Sequence, residues 1–102
     1  MIKVNISKKG SLIDFIKISG HAKFGDYGQD LVCAGVTAIT SGTLNALDTL
    51  FAGKTNIKIK DNLIEIDVLV SSEELQLLFQ LMIIQLKTIE VQYKENLKIK
   101  EV

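Results

Sequence analysis

Residues 55–70 read TNIKIKDNLIEIDVLV, two runs of alternating apolar and polar residues separated by Asp61-Asn62. A period of two sends successive side chains to opposite faces of a strand, so the pattern predicts strands over 55–60 and 63–70. Two turn-forming residues between such runs predict a tight hairpin. The amino-terminal segment repeats the motif. IKVNIS (2–7) alternates with Ile2, Val4 and Ile6 on one face, residues 8–11 form a turn, and LIDFIKIS (12–19) makes the second strand. Between the hairpins, residues 31–51 carry helical spacing, with Asp30 as N-cap and Gly53 as a stop. Val32, Val36, Ile39, Thr43, Ala46 and Leu50 form the stripe expected to face the core. Gly35, Ala38 and Gly42 line a neighbouring strip narrow enough for close approach. After the second hairpin, Ser71 with Glu74 makes a capping box opening a helix that runs to about Tyr93, and LKIKEV from Leu97 reads as a last short strand. The order ββαββαβ describes one α+β domain over 1–102, a small sheet of two hairpins and a C-terminal strand packed with two helices.

The second helix is apolar over more than one face. Leu75, Leu78, Phe79, Met82, Leu86 and Ile89 form one stripe, and Leu77, Leu81, Ile84 and Val91 extend it around the cylinder. So wide an arc needs cover on several sides, from a second copy of the chain or from burial deep in a monomer core. The expected state is a homodimer with this helix at the interface.

Composition removes several classes of function. The apolar content of 47% excludes disorder. No apolar run is longer than the four residues Leu81 to Ile84, so no transmembrane helix is expected, and the amino terminus lacks the apolar stretch of a signal peptide. One Cys forms no internal disulfide, which points to the cytoplasm. One Cys and one His do not supply the core of a zinc or iron–sulfur site, so neither metal nor cofactor is expected. Zero net charge, with twelve lysines, twelve acids and no Arg, argues against nucleic acid as a partner.

Cys33 and His21 remain as candidates for chemistry. A lone cysteine is ordinarily an inert, buried, small hydrophobe. Here, with Asp30 as N-cap, Cys33 falls at the third helical position, within the first turn, where unpaired N–H groups and the macrodipole favour a thiolate, although Asp26 and Asp30 oppose this. At about 100° per residue it clusters with Thr37, Ser41 and Leu44, roughly a quarter turn from the core stripe. His21 opens the loop GHAKFGDYGQD (20–30), too long to be idle in so small a domain. A strand–loop–helix junction brings His21 within reach of Cys33 as its base. Asp30 has two roles open to it, capping the helix or orienting His21. Phe24 and Tyr27 either belong to a lid over the site or pack on the body. A non-catalytic protein-interaction module, with Cys33 packed and His21 idle, is the competing class.

Gly20-His21-Ala22 followed by the block from Gly28 to Ala38 (GQDLVCAGVTA) resembles the Prp family of ribosomal-processing cysteine proteases. The resemblance runs through essentially the whole chain. Lys94 stands where many relatives have Pro, and Thr37 where Ser is usual. It implies a cytoplasmic, homodimeric endopeptidase that removes the N-terminal extension of a large-subunit ribosomal protein after a pair of aromatic residues. It further implies Cys33 as nucleophile and His21 as proton acceptor, with Asp30 a candidate third member. Thr37, Ser41, Phe24 and Tyr27 are then candidate substrate contacts. The first-turn N–H groups around Cys33 and Ala34 are expected to receive the oxyanion.

Overall fold

A computed structural model describes residues 1–20 and 29–102, the side chains of Gln29 and Asp30 excepted. The order is β1 (Ile2–Lys9), β2 (Leu12–Ser19), α1 (Gln29–Leu50), β3 (Thr55–Lys60), β4 (Leu63–Val68), α2 (Glu73–Gln92) and β5 (Leu97–Glu101). The strands form one sheet in the order β3-β4-β2-β1-β5, antiparallel except where β5 runs parallel to β1. Both predicted hairpins form. Asn62 takes the left-handed conformation at φ 64°, which an Asn side chain tolerates in a two-residue turn.

Alternation sorts the sheet into two unlike faces. Ile2, Val4 and Ile6 of β1, Ile16 and Ile18 of β2, Ile66 of β4 and Leu97 of β5 are buried beneath the helices, which contribute Val32, Val36, Leu47, Leu75, Phe79, Met82 and Leu86. The opposite face is polar and open to water. Strand β2 departs from strict alternation: Ser7 pairs with Phe15 and Lys8 with Ile13, so Asp14 is an extra residue. This bulge brings Ile13 and Ile16, three apart, to the same buried face.

Several boundaries differ from the sequence reading. Helix α1 begins at Gln29, which places Asp30 in its first turn rather than at the cap. A carboxylate is favourable at either place, so the residue type does not fix the boundary. The buried stripe of α1 follows Val32, Val36, Thr40, Thr43 and Leu47, and Leu50 is 69% exposed. Thr40 joins the stripe because its hydroxyl donates to the Val36 carbonyl at 2.8 Å, and Thr43 donates likewise to Ile39 at 2.7 Å. Strand β4 ends at Val68, because the N–H groups of Leu69 and Val70 turn to the Lys54 carbonyl. The cap of α2 is Ser72, whose Oγ accepts from the Leu75 N–H at 3.2 Å. Ser71 instead accepts from the Gln76 amide.

The small-residue strip of α1 is used at Gly35, where a Cβ would stand 3.0 Å from Cδ1 of Ile89 on α2. Two side chains of α2 fasten that helix to the sheet through backbone groups. Gln76 holds Ile13, and Glu90 accepts the Ile99 N–H at 2.7 Å on edge strand β5. On the outer side of α2, Leu77, Leu81, Ile84 and Val91 are 54–69% exposed, so the wide apolar arc is not covered by the described residues. Among the described residues, no helix is long and apolar enough to cross a membrane.

Candidate active site

Cys33 lies at the edge of the buried stripe of α1, half-buried, one residue beyond Val32. Of the expected cluster of Cys33, Thr37, Ser41 and Leu44, the first three line one cleft, of about 290 Å³, while Leu44 packs against the core. Its floor continues an apolar row that crosses the sheet in register. Val4 pairs with Ile18, Ile18 with Ile64, and Ile64 with Ile59. That row passes from a fully buried Val4 to an Ile59 that is 66% exposed at the sheet edge. The far wall is the β3–β4 turn, Lys60 to Leu63. The sequence reading treated that turn only as a link between strands, and its role as a wall follows from the sheet order. A thiol beside an apolar floor and an open edge suits an extended chain with a hydrophobic side chain to bury.

The helix start also changes the electrostatic expectation. Cys33 is the fifth helical residue, so its N–H and that of Ala34 are committed to the carbonyls of Gln29 and Asp30. An oxyanion role for the Cys33 and Ala34 N–H groups therefore competes with these helical bonds. Larger hollows exist, one of about 530 Å³ at the start of α2, but its lining of Leu12, Ser71, Ser72, Glu73, Gln76, Leu77 and Gln80 carries no nucleophile beyond serine hydroxyls already placed in the cap and the Gln76 network.

Gly20 ends the floor of the cleft, and its geometry explains why glycine stands there. Its φ is +89°, its N–H donates to the Asn62 carbonyl at 3.0 Å, and a Cβ would run into the Met1 carbonyl oxygen. Backbone on that side has no flexible end to yield. Gly20→Ala is expected to cost about 2 kcal/mol or more of stability, read from urea unfolding, because strain and collision add. His21, Phe24 and Tyr27 lie outside the described residues, as does the side chain of Asp30. The chain nevertheless leaves β2 for His21 directly from a Gly20 held at the rim of the Cys33 cleft.

The family model described as cysteine protease Prp matches residues 1–98. The ribosomal processing cysteine protease Prp of Staphylococcus aureus is 34% identical over 103 positions, which cover 96% of this chain and 94% of that protein. Its namesake in Bacillus subtilis is 39% identical over 90 positions, covering 81% and 80%. Two crystal structures of the S. aureus protease match with a TM-score of 0.89 at 33% identity over 100% of both chains, one with a covalently linked product peptide and one with a substrate peptide.

Proposed function

The chain belongs to the Prp family of cysteine proteases, and on that premise we propose that it removes the N-terminal extension of a large-subunit ribosomal protein in the cytoplasm, through Cys33 and His21. The observation that carries this reading is the Cys33 sulfur, half-buried at the end of an apolar floor that opens to the sheet edge. His21 takes the thiol proton. The thiolate attacks the scissile carbonyl carbon and forms a C–S bond, and the imidazolium returns the proton to the nitrogen as the C–N bond breaks. Water then hydrolyses the thioester, with His21 as base, and the thiol is restored. Asp30 serves as orienter of His21 from the first turn of α1. Thr37 and Ser41 present hydroxyls to the bound peptide, and Phe24 and Tyr27 cover it. The exposed Ile59 offers an apolar contact for an aromatic pair before the cut.

The test is incubation of the wild-type protein with a synthetic peptide spanning the host protein's extension, read by mass spectrometry. Two fragments produced by a cut at one bond, after the aromatic pair, support the reading. An intact peptide in the presence of folded protein overturns it.

The working unit is a homodimer joined through α2. Leu77, Leu81, Ile84, Thr88 and Val91 recur at alternating steps of four and three, the spacing of a helix–helix seam. Leu81→Glu is expected to convert a dimer to a monomer in light scattering, because it places a charge inside that seam. A dimer of unchanged mass would place the interface elsewhere.

A further inference from the structure

The zero net charge of the chain is the average of two unlike halves. Pairing across the sheet defines which residues share its open face. One row runs Lys60, Leu63, Ser19, Lys3, Lys98, the next Lys58, Glu65, Lys17, Asn5, Lys100, and a third Asn56, Asp67, Phe15, Ser7. These three rows hold six lysines and two acids, a fourth beyond the bulge pairs Lys9 with Leu12, and the rest of the chain holds five lysines and ten acids. Among the described residues the ion pairs are Lys8 with Glu101 and Lys9 with Asp14, neither involving a lysine of the first three rows. All six except the half-buried Lys17 are exposed.

We propose that the open face of the sheet binds single-stranded RNA, with phosphates on Lys3, Lys17, Lys58, Lys60, Lys98 and Lys100 and a base on Phe15. Neighbouring strands stand about 4.8 Å apart and same-face residues of one strand about 7 Å apart, so the lysines form a lattice of cations rather than a single pocket. Such a lattice suits a chain that carries one charge per repeat. Phe15 favours RNA over an acidic protein. It is a half-buried aromatic on central strand β2, flanked across the sheet by Ser7 and Asp67 and next to Lys17, the arrangement of a stacking platform inside a cationic field. Asn5, Asn56, Ser7 and Ser19 add hydrogen-bonding groups. The absence of Arg forks makes the binding indifferent to sequence. The inference concerns a face opposite the helices and stands or falls separately from the protease reading.

The test is fluorescence anisotropy of the full chain with a labelled single-stranded RNA of mixed sequence. With about five phosphate contacts, affinity is expected to fall roughly 100-fold between about 50 and 200 mM salt. The triple variant Lys3→Gln, Lys17→Gln, Lys100→Gln should bind at least about tenfold more weakly and with a salt slope lower by about two. Lys8→Gln, Lys87→Gln, Lys94→Gln, which removes as much charge outside these rows, should change neither. Phe15→Leu should weaken binding about fivefold with the salt slope unchanged, and equal affinity would remove the base from Phe15. No binding by the wild type at low salt, or equal weakening by the two triple variants, overturns the proposal. Polyglutamate or anionic vesicles that bind as tightly as the RNA overturn it in favour of an acidic protein or a membrane surface.

Discussion

Cys33→Ala is expected to abolish peptide cleavage, by at least about 10³-fold, while the protein remains folded. The size of the effect follows from covalent catalysis. Without the sulfur no acyl intermediate forms, and no second cysteine exists to replace it. Folding should survive because Cys33 stands at the edge of the core stripe, half-buried, and Ala is a better helix former. Circular dichroism and an unfolding midpoint near that of wild type would separate lost chemistry from lost structure. Cleavage at an undiminished rate would remove Cys33 from the mechanism.

The largest expected effect on stability comes from a residue far from the site. Strand β4 pairs with β2 only over Phe15–Ser19, and Ile13 lies beyond its reach. The Gln76 amide takes the place of a neighbouring strand: Oε1 accepts from the Ile13 N–H at 2.9 Å, and Nε2 donates to the Ile13 carbonyl at 2.8 Å. Gln76 is 7% exposed and Ile13 4%, so water does not replace these bonds. Gln76→Leu keeps the bulk but leaves both backbone groups buried without partners, at a cost of about 2–5 kcal/mol. That is a large share of the stability of a domain this size. Gln76→Glu should fall between wild type and Leu above the pKa of its carboxylate, since it still accepts the Ile13 N–H but faces the carbonyl with an acceptor. Urea unfolding checks both variants. A Leu variant as stable as wild type would show that the strand end does not depend on the amide.

Local patterns made most of the fold legible and left its assembly hidden. Alternation at Ile2, Val4 and Ile6, and again around Asp61-Asn62, identifies four strands, because a half-buried strand must alternate. Both helices follow from their apolar periodicity. The capping box fell one residue early because two serines stand side by side: Ser72 caps Leu75, and Ser71 is drawn into the Gln76 network. Asp14 looks like any polar strand residue, and only pairing with β1 shows that it is an insertion. The clustering of Cys33 with Thr37 and Ser41 was legible from helical geometry alone. The opposite wall at Asp61 and Asn62 was not, since it depends on β4 lying beside β2. Charge shows the same limit. Whole-chain counting returns zero, and five strands in register are needed to see six lysines on one face.

Pairing of Cys33 with His21 is the centre of the proposed chemistry, and the rate of iodoacetamide alkylation as a function of pH tests it most directly. The account predicts that Cys33 of the wild-type protein is modified readily at neutral pH and that His21→Ala slows this reaction markedly. Identical profiles for wild type and His21→Ala, with modification confined to alkaline pH, would contradict it.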